Sequence, residues 1–280
     1  MKTKVIVIRV ISLLGIALVI ALQITTYLEE GRLTNLPKTI LVLLSVLLLF
    51  FSTFLSKIDQ TQKHTIKAAC EQEAACFTND KKARRFFCLG FRGWAASNYG
   101  TAYYYFSKAA TAAQEPQAQA KAYFYLGRCA VEEKKYSRAI ENLTYSVQLN
   151  PSEGRAWSNL ARAYFETGDH EKTKLSAQTG LFYNPRHANL HSFLGNYHFL
   201  HRDFEAALKE FLSAEQLEPT SAPYAMNSAL AYAGLGDEKH AMSCYHKAET
   251  LHYSSLEQGL QEIRTLLSLN SSGQSNVSCN

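Results

Sequence analysis

Residues 154–185 read GRAWSNLARAYFETGDHEKTKLSAQTGLFYNP. Their apolar residues recur at spacings of three and four on both sides of Gly168, a pattern typical of two amphipathic helices joined by a short turn. The final Pro185 lies 34 residues from both Pro151 and Pro219. Because proline can begin a helix but cannot continue one, this spacing predicts helical hairpins that repeat at a fixed period.

The same pattern continues on both sides of these residues. Further rows cover 120–153, 188–221 and 222–253, and an earlier, degenerate row covers 83–116. A small residue recurs in four rows where two helices must approach closely: Gly127, Ala161, Gly195 and Ala229. Since a single hairpin cannot bury its own apolar face, we expect the hairpins to stack against one another.

The rows resemble the tetratricopeptide repeat (TPR) family, whose pattern is W-x₂-L-G-x₂-Y…A-x₃-F…P. In the row that begins at Gly154, the matching residues are Trp157, Leu160, Ala161, Tyr164, Ala177 and Pro185. The resemblance implies an all-α fold, a right-handed α-solenoid of TPR hairpins. The apolar stripe of Leu256, Leu260, Ile263 and Leu267 predicts a capping helix over residues 254–269. The Ser- and Asn-rich residues 270–280 are predicted to be a disordered tail.

Two apolar stretches precede the repeats. Residues 5–25 are long enough to span a bilayer, and residues 39–55 are at the lower limit. We predict a two-helix transmembrane anchor over residues 1–56, followed by a basic helical linker over 57–82. A cleaved signal peptide for the first stretch, and a buried core helix for the second, remain alternatives.

Positive charge flanks the apolar stretches more heavily outside them than in the loop that joins them. This predicts that both ends lie in the cytoplasm, with the repeats at the inner membrane of a bacterium rather than in an organelle. The net charge of +5 comes largely from the stretch next to the membrane. That stretch suits an anionic lipid surface better than a nucleic acid.

The sequence contains no GxSxG, HExxH, Walker or CxxC motif. We therefore predict no enzymatic activity, no cofactor, no metal and no small-molecule substrate. His187 and His191 are spaced as a helical metal pair would be. However, His191 and His198 occupy the slots that Trp157 and Tyr164 take one repeat earlier, so packing is the simpler interpretation.

The six cysteines show no framework typical of a small secreted domain. A disulfide between Cys70 and Cys76 is the pairing considered if the repeats lie outside the cytoplasm. The tripeptides that begin at Asn142 and Asn276 fit the glycosylation acceptor pattern. A cytoplasmic domain would not be modified there.

In TPR proteins the first helix of each hairpin lines a concave face. The resemblance places the following peptide-binding residues on that face: Lys121, Tyr125, Arg128, Arg155, Asn159, Arg162, Asn189, Asn196 and Asn227, with Phe193 among them. Arginine grips carboxylates and asparagine pairs with a peptide backbone. The set therefore predicts an acidic peptide ligand. Asn196 and Asn227 match a carboxylate clamp, but Ser192 replaces the clamp lysine.

The predicted function is that of a membrane-anchored TPR scaffold or adaptor. It binds a partner protein or peptide in its groove, for complex assembly or recruitment at the membrane. Two alternatives remain open: an extracytoplasmic TPR factor in envelope assembly or secretion, and a non-catalytic subunit of a membrane enzyme complex. Self-association through an uncapped end is also open.

Overall fold

The computed structural model describes the backbone of residues 38–274 and the side chains of residues 51–270. Its contacts divide the chain into two compact units, residues 1–65 and residues 66–280. All regular secondary structure in the described part is helical, which agrees with the predicted all-α class.

The second unit contains five helical hairpins and a final helix. Helix α1, Lys38–Glu73, is followed by a 3₁₀ turn, Ala74–Cys76. The hairpins are α2 (Lys81–Ala95) with α3 (Tyr99–Ala112), α4 (Pro116–Glu132) with α5 (Tyr136–Leu149), α6 (Gly154–Glu166) with α7 (His170–Tyr183), α8 (Ala188–Leu200) with α9 (Phe204–Leu217), and α10 (Ala222–Gly234) with α11 (Glu238–Thr250). Helix α12, Leu256–Gln274, follows them. The array is a TPR-type α-solenoid.

The turn inside a hairpin follows a simple rule. The residue before the second helix's cap adopts a left-handed backbone: Gly168 and Gly236 both have φ of 78°. Glycine favours this conformation because it has no Cβ to clash. The next residue, Asp169 or Asp237, accepts a hydrogen bond from the backbone N–H three positions later. Each aspartate thus satisfies one of the unpaired donors at a helix start.

Close helix packing depends on the small residues that the repeats predict. A Cβ on Gly195 would lie 2.5 Å from the Phe211 ring, and one on Gly127 would collide with Leu143. Thr173 stands where the repeat pattern has alanine, and its environment explains why a polar residue is tolerated there. The buried hydroxyl of Thr173 donates to the Asp169 carbonyl, 3.0 Å away. Without such a bond, a buried polar atom would destabilise the core.

Helix α12 covers the last hairpin. Its Ile263 is fully buried in a cluster with Ala225 and Ala229 of α10. The helix continues to Gln274, so the prediction of a disordered tail is wrong for residues 270–274. Asn270 explains part of this continuation, since its side-chain amide donates to the backbone oxygens of Ala233 and Gly234. Residues 275–280 lie outside the described part.

The predicted membrane anchor is only partly covered by the structure. Residues 5–25 lie outside the described residues, and residues 39–55 fall in the first half of α1. None of the helices in the described residues has the length and apolar character that crossing a membrane requires. The transmembrane hairpin stays a prediction.

Candidate peptide-binding groove

The first helices of successive hairpins lie beside one another and enclose a groove of about 440 Å³. Helices α4, α6 and α8 supply most of its walls. The lining residues are Phe124, Arg128, Glu132, Arg155, Ser158, Asn159, Arg162, His187, Asn189, Phe193 and Glu218. Five of the predicted site residues, with Phe193, are therefore brought together. Lys121, Tyr125, Asn196 and Asn227 do not line it.

An ion-pair network adjoins the groove at Arg155, which belongs to both. Glu73, the last residue of α1, accepts hydrogen bonds from Nη1 and Nη2 of Arg155 at 2.9 and 3.3 Å. Its second oxygen also lies 3.1 Å from Nζ of Lys121. Glu153, just before α6, lies 3.2 Å from Lys121 and 2.8 Å from Nε of Arg155. Two of the predicted ligand-binding cations thus already hold carboxylates of the same chain.

The pKa values of these groups reflect that pairing. Burial alone would raise the pKa of Glu73, but the hydrogen bond from Arg155 and the charges of Lys121 and Arg155 outweigh it. They lower that pKa to about 2. The same balance lowers the pKa of Glu153. The hydrogen bond to Glu153 is the main cause that raises the pKa of the Arg155 guanidinium. These shifts all favour the charged forms of Glu73, Glu153 and Arg155.

Arg128 and Arg162 are different, because no carboxylate of the described residues lies within ion-pairing distance of either. They are 34 positions apart, so they occupy the same slot in consecutive hairpins. The Arg128 guanidinium lies over the Trp94 ring at 4.3 Å and the Phe124 ring at 5.5 Å. This stacking orients the guanidinium and leaves its N–H donors for other acceptors.

Amide and aromatic side chains complete the groove. Asn159 donates through Nδ2 to the Arg155 carbonyl at 2.7 Å, which leaves its side-chain oxygen as an acceptor. Asn189 accepts from the Tyr224 hydroxyl at 2.7 Å, which leaves its NH₂ group as a donor. Phe193 is half-buried and packs 6.1 Å from Phe165, ring centre to ring centre. These groups can bind a peptide backbone and one apolar side chain.

The predicted clamp asparagines lie beyond this groove. Asn227 donates to the Ser192 hydroxyl at 3.3 Å, and Asn196 is half-buried. Ser192 itself is buried, with 9% of its surface exposed. The position that a clamp lysine would occupy therefore serves a contact between neighbouring hairpins.

The prediction for Tyr125 is wrong, because this side chain belongs to the core. Only 2% of it is exposed, and burial raises the pKa of its hydroxyl. Its ring lies 5.0 Å from that of Phe106 and 5.3 Å from that of Phe87. The first hairpin is rich in aromatic residues, and a large ring from α4 fills the space between them. Phe124, its neighbour, contributes to the groove instead.

Some lining residues were not predicted from the sequence. The carboxylates of Glu132 and Glu218 make the groove mixed in charge rather than purely basic. His187 precedes α8, its Nδ1 is buried without a hydrogen-bond partner, and burial lowers its pKa. Glu132 lies one helical turn after Arg128, which is a visible signal in the sequence. Glu218 and His187 come from turns, for which the repeat pattern gives no orientation.

The remaining sequence candidates have structural roles. Nδ1 of His191 lies 2.7 Å from Glu210, and its Nε2 lies 3.1 Å from the Pro185 carbonyl, so it packs as predicted. Across the described residues, no cluster of histidine, cysteine and acidic side chains could hold a metal. Asn142 is buried and donates to the Arg138 carbonyl, which is incompatible with glycosylation in the folded protein.

The considered pairing of Cys70 with Cys76 is wrong, because Cys70 forms a disulfide with Cys88. Helix α1 ends at Glu73, between the two candidates, and Cys76 lies in the 3₁₀ turn that follows. Cys70 instead faces Cys88 of α2, with Cα atoms 5.7 Å apart. Cys76, Cys129 and Cys244 are free thiols.

Comparison with known proteins agrees with this architecture. Residues 130–197 match the family described as tetratricopeptide repeat. A segment of 104 residues, 37% of the chain, is 29% identical to the heat-shock protein cognate co-chaperone sgt12 of Aspergillus fumigatus. That segment spans only 30% of the co-chaperone's length.

Solved structures extend the similarity to most of the hairpins. MamA from Desulfovibrio magneticus RS-1 is 16% identical, with a TM-score of 0.53 over 62% of this chain and 97% of that one. TTC0263, a TPR protein of Thermus thermophilus, is 22% identical, with a TM-score of 0.51 over 66% and 99%. YrrB, described as a TPR protein with an unusual peptide-binding site, is 15% identical, with a TM-score of 0.51 over 70% and 96%. These similarities support the TPR fold of the second unit.

Proposed function

We propose that this protein is a membrane-anchored scaffold whose TPR groove binds an acidic segment of a partner protein. The observation that carries the proposal is the pair of arginines without a carboxylate partner among the described residues, Arg128 and Arg162, in equivalent slots of consecutive hairpins. Between them along the chain, Asn159 offers an acceptor for a peptide N–H. A carboxylate on the bound peptide would supply the acceptor that these guanidinium groups lack.

The chemistry of the groove suits recognition of a polypeptide. A repeat array presents an extended surface along stacked helices rather than a single reaction centre. Here the arginines supply charge-assisted hydrogen bonds, the asparagines supply backbone pairing, and Phe193 supplies apolar contact. YrrB is described by its peptide-binding site, and sgt12 is named a co-chaperone. Both descriptions favour a binding role over catalysis for this chain.

The membrane part of the proposal rests on the sequence. Residues 5–25 and 39–55 are apolar enough to form a hairpin anchor, and the stretch that follows is basic. An anchor of this kind would concentrate the groove at the membrane surface. There it could recruit a partner to a membrane complex.

A second candidate is a TPR factor outside the cytoplasm that acts in envelope assembly or secretion. The Cys70–Cys88 disulfide favours it, because disulfides persist in oxidising compartments and are rare in the cytoplasm. The distribution of positive charge favours the cytoplasmic side instead. Labelling of Cys279 in intact cells with a membrane-impermeant maleimide tests both. Labelling supports the outer location, and protection until lysis supports the inner one.

The groove itself is tested with the full chain in mild detergent. The probe is a fluorescein-labelled poly-glutamate peptide, and binding is followed by fluorescence anisotropy. Since a hydrogen bond to a charged group contributes about 1.5–3 kcal/mol, we expect the Arg128→Ala/Arg162→Ala variant to lose at least about tenfold in affinity. The control is Arg138→Ala/Arg264→Ala, which removes the same charge from exposed positions outside the groove. An equal loss of probe affinity in the two double variants would contradict a specific site.

A further inference from the structure

Glu73 binds Lys121 and Arg155 with the geometry that a ligand carboxylate would adopt. Its two oxygens accept hydrogen bonds from both terminal nitrogens of Arg155, at 2.9 and 3.3 Å. One of these oxygens also accepts a hydrogen bond from Nζ of Lys121, at 3.1 Å. This bidentate geometry is how arginine binds planar carboxylates in recognition sites. The Glu73 side chain is 22% exposed and that of Lys121 17%, whereas that of Arg155 is 42% exposed, so the pairing is partly shielded from solvent.

The end of α1 that carries Glu73 is fixed by other contacts. Cys70, about one helical turn earlier, is joined to Cys88 of α2. Ala74, the next residue, and Phe77, four residues after Glu73, are almost completely buried. Their packing positions Glu73 at the groove independently of its ion pairs.

The two cations that Glu73 contacts require a second carboxylate for charge balance. Lys121 and Arg155 are both paired with Glu153, which lies two residues before Arg155 in the chain. Without Glu73, two cations would face one anion, and one positive charge would be uncompensated. A single carboxylate would restore the balance.

This end is continuous with the arginine pair of the groove. The Phe124 ring lies 5.1 Å from the Arg155 guanidinium and 5.5 Å from that of Arg128. Arg155 also belongs to both the ion-pair network and the groove lining. A peptide bound along Arg128 and Arg162 would therefore reach Arg155 with a neighbouring acidic residue.

We propose that Lys121 and Arg155 form a second carboxylate subsite, which Glu73 occupies in the free protein and an acidic side chain of the partner takes over in the complex. The proposal rests on the groove function proposed above. Glu73 is then an intrachain competitor. The apparent affinity for an acidic peptide is reduced by the fraction of molecules in which Glu73 holds the subsite.

The test compares Glu73→Gln with wild type, using the full chain in mild detergent and the fluorescein-labelled poly-glutamate probe. We expect the Glu73→Gln variant to bind about five- to tenfold more tightly, within the usual range of intramolecular coupling. Glu71→Gln is the matched control, since it removes the same charge from an exposed position on the same helix. The affinity of that variant for the probe should rise by less than about twofold, because only the long-range repulsion between Glu71 and the acidic probe is removed.

Two further variants decide the reason for any gain. Arg155→Gln in the Glu73→Gln background should abolish the gain, because it removes the subsite. Glu73→Asp keeps the charge but shortens the side chain, so it should also bind the probe more tightly than wild type. It serves as the test if circular dichroism shows that Glu73→Gln does not fold. A gain no larger than that of Glu71→Gln, or a weaker affinity, would overturn the proposal.

The outcome separates this proposal from the groove function. If Arg128→Ala/Arg162→Ala loses the probe while Glu73→Gln gains nothing, the groove stands and the second subsite fails. If neither variant changes probe binding, both fail.

Discussion

The ion pairs of Glu73 predict a stability difference that depends on pH. The pKa of its carboxyl group falls from 4.5 to about 2 in the folded protein. At about 1.4 kcal/mol for each tenfold change in proton affinity, the charged form contributes at most about 3 kcal/mol to the free energy of unfolding. Because solvent partly screens the pair, we expect Glu73→Gln to lower that free energy by about 2 kcal/mol at pH 7.

The sign follows from the direction of the shift. The folded protein binds this proton more weakly than the unfolded chain, so the contribution of Glu73 is complete above about pH 5. It declines as the pH falls from there toward about 2, and less than half remains at about pH 3. The free energies of wild type and Glu73→Gln should therefore converge as the solution becomes acidic.

The measurement is urea unfolding of the full chain in mild detergent, followed by far-ultraviolet circular dichroism at several pH values. Other carboxylates titrate in the same range, including Glu153, whose pKa is also lowered. Carboxylates outside the network are present in both proteins and cancel in the difference. Glu153 shares Lys121 and Arg155 with Glu73, so its titration is part of the measured difference. Glu71→Gln again serves as the control and should match wild type at every pH. The reasoning would be refuted if Glu73→Gln lowered the free energy of unfolding equally at pH 7 and pH 3, or did not lower it at pH 7.

Three further predictions concern packing and covalent structure. Tyr125→Ala should lower the free energy of unfolding by about 3–5 kcal/mol through lost core packing, measured by urea unfolding. Gly127→Ala should destabilise by about 1–2 kcal/mol, because the clash with Leu143 outweighs the better helix propensity of alanine; a higher melting temperature would contradict this. Replacing both Cys70 and Cys88 with serine should cost about 3 kcal/mol, as expected for a loop of this length, and a dithiol reductant should reproduce the loss in wild type but not in the variant.

The hairpins could be predicted because their signals are local. The turn at Gly168 needs a left-handed residue followed by a capping aspartate, and both are adjacent in the sequence. The close approach at Gly195 follows from a small residue at a fixed position of each row. The groove arginines Arg128 and Arg162 could be placed for the same reason, since the repeat period carries one slot into the next.

The partners of the groove cations could not be predicted in this way. Lys121 pairs with Glu73 across 48 positions, and Arg155 pairs with the same residue across 82. Glu73 belongs to a stretch that the sequence assigned to a linker near the membrane. The repeat pattern has no position for such a residue. The pairing of Cys70 with Cys88 likewise depends on where the end of α1 lies against the hairpins.

The distribution of these contacts restricts where a peptide can place its charge. On the Arg155 side of the groove Glu73 competes for the cations, and on the other side Asn189 is engaged with Tyr224 of the next hairpin. The repeat position occupied by Arg128 and Arg162 is Asn196 in the next hairpin, so the row of arginines at this position ends at α6. An acidic residue of the partner should therefore bind against α4 and α6. The peptide's apolar residue should then lie toward α8, where Phe193 is the aromatic wall. A reversed peptide would bring its acidic residue to the amide end, where neutral amide donors replace the guanidinium groups and the bidentate pairing with arginine is lost.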